Sequence, residues 1–328
     1  MTTAALDRFA ALGALCLLAA TPDAIAQGAR DAFPTRPIRM VVPYAPGGSA
    51  TLVARYIANK VSENLGVSVI VDNRGGGNGK IGAEAVSRSN PDGHTVLFGE
   101  TGSMAINLWL MDRAGSHTLK DFVAIGQVVT LENILVAHPS AGVKNLKDLV
   151  AKAAAAPVIY GSSGTGTVGH LAMELLRSTL NVKFTHVPYK GGGPAMTDVL
   201  GGQIPMLALT VPTAAPHVLS GRLLPVAALS LARTSILPDV PTVGEQGFPP
   251  LSVSQWYGFF APVATPPALV ARLHTEFRRA ATAPDVAKAL TSTGNSVVTG
   301  TQEEFAKLVR DDVERWRVVI RDAGVQVN

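Results

Sequence analysis

The sequence predicts an α/β fold with parallel-rich sheets flanked by helices. Short apolar runs of strand character alternate with segments of helical periodicity along most of the chain, the order expected of parallel strands joined by crossover helices. The turns that follow the strands are rich in Gly, Ser, Thr and Pro, residues that end strands and open helices. At 328 residues, 47% hydrophobic and 16% charged, the chain is long enough for two domains.

The first segment stands outside that pattern. Phe9–Ala20, "FAALGALCLLAA", is too short to span a bilayer, and Ala24-Ile25-Ala26 follows as a small-x-small cleavage pattern before Gln27. This is the signature of a secretory signal peptide over residues 1–26. Its removal takes Arg8, Asp7 and Asp23, raising the net charge from +4 to +5. The only cysteine, Cys16, lies within it, so disulfides, thiolate catalysis and cysteine metal sites are excluded from the mature chain. No second segment is apolar and long enough to cross a membrane, which predicts a soluble periplasmic protein. The basic surplus is spread out, without the basic-aromatic clusters that nucleic acid requires.

"IRMVVPY" then reads as a strand, followed by a helix over Leu52–Leu65 with Leu52, Val53, Tyr56, Ile57, Val61 and Leu65 on one face. "VSVIVDN", a glycine-rich turn, a helix over Ile81–Arg88 and the strand "HTVLFGE" come next. Two apolar runs, "VAIGQVV" and "NILVAHP", are separated by a short polar break. Helices over Leu146–Ala156, Val168–Leu180 and Ala195–Leu200 alternate with strands "VIYGS", "KFTHVPY" and "MLALT". After "LLPVAALS", the proline-rich "LPDVPTVGEQGFPP" leads into "WYGFFAP". Helices over Pro267–Ala283, Asp285–Ser292 and Gln302–Asp322 close the chain, the last opening on Thr301 and Glu304 as a capping box. Val128–Val136 and Leu251–Phe260 are the candidate joints. If both cross over, residues 33–130 with 255–328 form a discontinuous first domain and 131–254 a continuous second.

Gly77-Asn78-Gly79-Lys80-Ile81-Gly82 is a literal G-x-G-x-x-G. Asp72, Asn73, Arg74 and two more glycines separate it from its strand, whereas a dinucleotide fingerprint needs a tight turn directly off the first strand. Gly161-Ser162-Ser163-Gly164-Thr165 resembles a nucleophile elbow, but Thr165 replaces the last glycine and His170 is poorly placed as a base. The seven histidines show no metal-ligand spacing, so no metal is expected. Trp256, Tyr257, Phe259 and Phe260 are expected to pack the hinge and core. Four hydroxyl-rich strand-to-helix turns remain: Pro46–Thr51, Gly99–Ser103, Ser162–Thr167 and Tyr189–Gly193. Each presents N–H groups at a helix N-terminus, where the dipole favours an anion. Four such turns without a catalytic acid, base or nucleophile describe a site that holds and releases.

The ordered runs "FPTRPIRMVVPYAPGGSATLVAR", "VIVDNRGGGNGKIGAEAV", "NPDGHTVLFGETGS", "YGSSGTGTVGHLAMELL", "HVPYKGGGPAMTDVLGGQI" and "LPDVPTVGEQGF" together resemble the Bug receptors, extracytoplasmic solute-binding components of tripartite tricarboxylate transporters. The resemblance implies a two-domain Venus-flytrap periplasmic binding protein hinged on two crossover strands. It also implies a cleft for small carboxylates, a membrane permease as partner, no cofactor and no chemistry on the ligand. By motif position, the first binding loop runs through Tyr44, Ala45, Pro46, Gly47 and Gly48 into Ser49, Ala50 and Thr51. Thr101 and Ser103 belong to the second loop, Ser162, Ser163, Gly164 and Thr165 to the third, and Tyr189, Lys190 and Gly191 to the fourth. The turn around Thr210 is added by the resemblance alone.

Two positions depart from the family pattern. Thr51 stands where an aspartate is common, and Leu209-Thr210 where a more polar pair often precedes the proline. Both changes remove polarity or charge, which predicts a carboxylate without an amino group. Two alternatives remain open: a receptor whose closed form engages a membrane sensor, and an exported hydrolase using Ser162 or Ser163. A monomer is expected.

Overall fold

The computed structural model describes residues 33–110, 119–251 and 253–322. The signal-peptide segment lies outside them. The chain divides into a short unit, Met1–Thr35, and a main unit, Arg36–Asn328, and the strands and helices of the described residues belong to the second.

From the N-terminal side the elements are β1 (Ile38–Val42), α1 (Ser49–Leu65), β2 (Val69–Asn73), α2 (Lys80–Ser87), β3 (Thr95–Glu100), a wide π-type turn (Gly102–Ile106) and α3 (Asn107–Leu110). There follow β4 (Phe122–Ala137), α4 (Leu146–Ala155), β5 (Val158–Ser162), α5 (Val168–Leu180), β6 (Phe184–Pro188), α6 (Gly192–Leu200), β7 (Met206–Thr210), α7 (Val211–Leu219) and β8 (Leu224–Ala228). The last elements are β9 (Ser254–Pro262), α8 (Pro267–Thr282), α9 (Pro284–Thr291), β10 (Asn295–Val297) and α10 (Gln302–Asp322).

The strand order is β2-β1-β3-β9-β4-β7-β5-β6, with β8 and β10 also paired to β4. Both flanks are parallel, as the β-α repeat predicts: β1 with β2 and β3, β5 with β6 and β7. The centre is antiparallel, because β9 and β4 run against their neighbours.

The two apolar runs read from sequence as separated by a polar break are one strand of 16 residues, β4. Val129, Leu131 and Asn133 are buried while Thr130 and Glu132 between them are half-buried, so the break is an alternation with period two rather than a turn. One half of β4 pairs with β9 (Val129 opposite Tyr257), the other with β7 (Asn133 opposite Thr210) and β8. Helix α7 was not legible because Pro212 and Pro216 look like breakers. Pro212 sits in the first turn, where the missing N–H has no helical partner to lose.

Local signals set the helix ends. Gly66, in the left-handed region at φ 67°, donates its N–H to Ser62 at 2.9 Å and stops α1. The Thr301–Glu304 box is reciprocal, with N–H to side-chain oxygen distances of 2.7 and 3.2 Å. The aromatic run of β9 packs largely as expected. Trp256 meets Phe305 edge-on at 5.1 Å and Phe259 stacks on Phe277 at 4.0 Å. Trp256 Nε1 also donates to the buried Asp312 at 2.7 Å, tying β9 to α10.

Candidate functional site

The C-terminal ends of β1, β3, β5 and β7 bring Tyr44, Glu100, Ser163 and Thr210 to one cavity, with Asn133 of β4 and Gln255 and Tyr257 of β9 completing the wall. Strand C-termini are where open α/β sheets place ligands. The space open to water centres is about 40 Å³, room for roughly three waters.

The β1–α1 turn forms one side. Gly47 at φ 96° reverses the chain in a conformation that strains any side chain. Gly48 precedes α1 without a side-chain cap, leaving the first-turn N–H groups to other partners. One of them, Ser49 N–H, donates to Thr213 Oγ1 at 3.1 Å. Ser49 Oγ lies 2.8 Å from Thr210 Oγ1 and 2.7 Å from the Tyr257 hydroxyl. Gln255 Nε2 donates to that same hydroxyl at 3.1 Å. Thr51 Oγ1 accepts from Asn73 Nδ2, whose other proton goes to the Tyr44 carbonyl, both at 2.8 Å.

This turn meets the β6–α6 turn closely. Ala45 N–H donates to the Lys190 carbonyl at 2.8 Å. A Cβ on Gly193 would lie 2.2 Å from the Pro46 oxygen, and one on Gly47 would lie 3.1 Å from Gly193 Cα. Only glycines permit the two backbones this contact.

Glu100, at the end of β3, is 4% exposed. It accepts from Gly102 N–H at 2.8 Å, from Ser103 N–H at 2.9 Å and from the Tyr44 hydroxyl. Burial pushes its carboxyl above the usual range, although all three hydrogen bonds pull it down. Burial and the neighbouring Glu100 push the Tyr44 phenol well above its ordinary value. No Lys, Arg or His is among the described residues that line the cavity, and those residues offer hydroxyls, amides and backbone N–H groups instead.

Of the residues expected from sequence, Tyr44, Ala45 and Gly48–Thr51 line the cavity, with Ser163 and Thr210. Others stand behind it. Buried Thr101 accepts from Trp256 N–H at 3.0 Å, and buried Ser103 holds the Glu100 turn. Ser162 is fully buried against His186, with Oγ 2.7 Å from Nε2. Gly164, Thr165, Tyr189 and Lys190 line a neighbouring hollow, where the Tyr189 hydroxyl donates to Asp198. Pro46, Gly47 and Gly191 form the contact between the turns. Glu100 and Thr167 lie within two of the turns read from sequence but were not singled out there, and Asn133, Thr213, Gln255 and Tyr257 are polar lining residues that no motif announced. On β9, Gln255 and Tyr257 are two apart, the spacing that puts both on one face of a strand.

The Ser162–His186 pair is no nucleophile. The hydroxyl is sealed from solvent, and burial and the stacked His170 ring, 4.2 Å away, bring the His186 imidazole down to about 3. Burial brings His170 down to about 4. Among the described residues no group of His, Cys, Asp and Glu is placed to hold a metal. Nor is any helix long and apolar enough to cross a membrane. Within the G-x-G-x-x-G run, Gly77–Gly79 form a tight turn with Asn78 left-handed at φ 49° before α2 begins at Lys80, and Asn78 Nδ2 donates to Asn107 Oδ1 at 2.5 Å.

The profile of the family described as "Tripartite tricarboxylate transporter family receptor" matches residues 53–325. The protein BugT of Bordetella pertussis is 32% identical over 319 residues, 96% of this chain and 98% of BugT. Among solved structures, the periplasmic binding protein BugD superposes with a TM-score of 0.85 at 31% identity, covering 90% of this chain and 99% of BugD. Rpa4515 of R. palustris with adipate gives 0.86 at 30% identity, covering 90% and 99%.

Proposed function

The chain belongs to the tripartite tricarboxylate transporter family of receptors, solute-binding proteins rather than enzymes, and on that premise we propose that it captures a small carboxylate in the periplasm and presents it to a membrane permease. One observation carries the proposal. The cavity has several neutral hydrogen-bond donors, including Ser49, Ser163 and Tyr257, and the N-terminus of the 17-residue helix α1 opens on it. Such a set suits carboxylate oxygens, because hydroxyls and first-turn N–H groups donate while the helix dipole favours the negative charge. Adipate in the similar Rpa4515 structure supports the ligand class.

Residues 131–254 act as one jaw and the flanking segments as the other, with β4 and β9 as the hinge. Ligand drawn in between them favours the joined state because both jaws contact it. The protein is exported, loses its leader after Ala26 and works as a monomer. With Thr51 in place of an acid, the preferred ligand lacks an amino group.

The test is mass spectrometry of metabolite released from freshly purified protein, followed by calorimetry against dicarboxylates, aromatic acids and amino acids. Tight binding of an acid, without turnover, is the expected result. Tight binding of an amino acid alone defeats the ligand assignment, and ester hydrolysis abolished by Ser163→Ala defeats the receptor assignment.

A further inference from the structure

Glu100 is the one ionisable carboxyl among the described lining residues, and no cationic side chain lines the cavity with it. The titratable groups that face it are two phenols, Tyr44 from the β1–α1 turn and Tyr257 from β9. Its remaining partners are the Gly102 and Ser103 N–H groups. Behind these, Gly102 packs against Gly166 and Thr167 of the β5–α5 turn. An anionic ligand therefore brings a second negative charge into a small space already holding Glu100. Like charges confined together raise each other's affinity for a proton.

We propose, building on the carboxylate reading above, that Glu100 is the specificity-determining residue of the cavity and takes up one proton as an anionic ligand is enclosed. The proton comes from solvent. Before uptake, the Tyr44 hydroxyl donates to the Glu100 carboxylate. After uptake, the Glu100 O–H donates to the Tyr44 oxygen, and the Tyr44 O–H turns to donate to the ligand. A single proton thus removes one negative charge and supplies one donor where the ligand lies. Burial already favours the protonated carboxyl. Thr51, which also lines the cavity, is neutral, so the number of acids to neutralise is one. A ligand bearing an ammonium group would instead be served by the ionised carboxylate, so the protonation state of Glu100 sorts the two ligand classes.

The test is calorimetric titration of the full mature chain with succinate, glutarate and benzoate, and with glutamate as the ammonium-bearing counterpart. It runs from about pH 6.5 to about pH 9, where carboxylates are ionised, in buffers of differing ionisation enthalpy. Expected is uptake approaching one proton per bound acid toward the alkaline end, with affinity falling about tenfold per pH unit there. Glu100→Gln should bind with pH-independent affinity and no uptake. Tyr44→Phe, which keeps the carboxyl, should still take up the proton but bind more weakly. Wild-type binding of an acid with no uptake at any pH overturns this proposal alone, whereas tighter binding of glutamate than of glutarate overturns it together with the assignment of a ligand lacking an amino group. Failure of all three acids to bind overturns the carboxylate reading beneath it.

Discussion

Replacing Gly193 by alanine tests whether the observed contact between turns is the ligand-holding state. The added Cβ would sit 2.2 Å from the Pro46 oxygen and 3.0 Å from Gly47 Cα, against 3.4 Å or more for ordinary contact. The obstruction is backbone and cannot swing aside, so the β1–α1 turn has to retreat by roughly 1 Å, a distance that strains the hydrogen bonds spanning the gap. Retreat breaks the Ala45–Lys190 bond, now 2.8 Å, and the Ser49–Thr213 bond, now 3.1 Å. At about 1 kcal/mol net each, the joined state loses about 2 kcal/mol, which weakens binding about thirtyfold. Isothermal titration measures it. Gly201→Ala is the control, since Gly201 has φ −81° and its nearest neighbour lies at an ordinary 3.4 Å. An unfolding midpoint close to wild type separates a wedged cleft from a misfolded chain. If Gly193→Ala binds as tightly as the control, the turns do not meet in the loaded protein and the jaw argument fails.

Three further outcomes follow from the geometry. Thr51→Asp puts a second acid beside Asn73 in the cavity, and calorimetry should show binding move from simple acids toward ammonium-bearing ones; unchanged selectivity refutes the role given to Thr51. Trp256→Phe removes the donor 2.7 Å from buried Asp312, so urea unfolding should report a loss of about 1–2 kcal/mol; an unchanged midpoint shows that the β9–α10 tie contributes nothing. His170 and His186 bind protons in the fold only near pH 4 and pH 3, while unfolded imidazoles bind them from about pH 6.5. Acid therefore favours the unfolded chain: stability is full above pH 6.5 and falls as the pH drops toward 4 and 3. His186→Gln should flatten that acid limb in melting temperatures taken across the same window.

The sequence shows its hand where function rests on turns and hides it where function rests on strands. The stretch Pro46–Thr51 announces itself because a turn followed by a helix start requires glycines and small hydroxyl residues. Of its side chains, those of Ser49, Ala50 and Thr51 reach the cavity. Thr101 and Ser162 carry the same local signature, yet they face inward to Trp256 and His186. Helix starts use hydroxyls for structure as readily as for ligands, and only the packing of a distant element decides between them. Glu100 falls inside the turn Gly99–Ser103 yet nothing local singles it out, because its importance arises from Tyr44, 56 residues away. The long β4 was hidden for a related reason. Thr130 and Glu132 look like a polar break until β9 pairs with them, and β7 takes up the strand from Asn133 onward.

The chemistry of the joined state explains why glycine and hydroxyl residues, not charged pairs, make the contact. On the two-jaw reading proposed above, turns that part to admit ligand cannot be held by a buried ion pair, because opening would expose each charge to a large change in solvation. A backbone bond from Ala45 to Lys190 and a hydroxyl bond from Ser49 to Thr213 contribute about 1 kcal/mol each and exchange readily for water. Left to these alone, the joined and parted forms lie within a few kcal/mol of each other. A ligand that bonds to Ser49 and Tyr44 on one side and to Ser163 and Thr210 on the other can then decide the balance, since it shifts the equilibrium only by its differential affinity for the joined form. A glycine contact such as Gly47 on Gly193 serves this balance because it brings the backbones together without adding apolar area. Burying a leucine pair there would favour the joined form by about 3 kcal/mol or more with no ligand present, and the receptor would shut on an empty site.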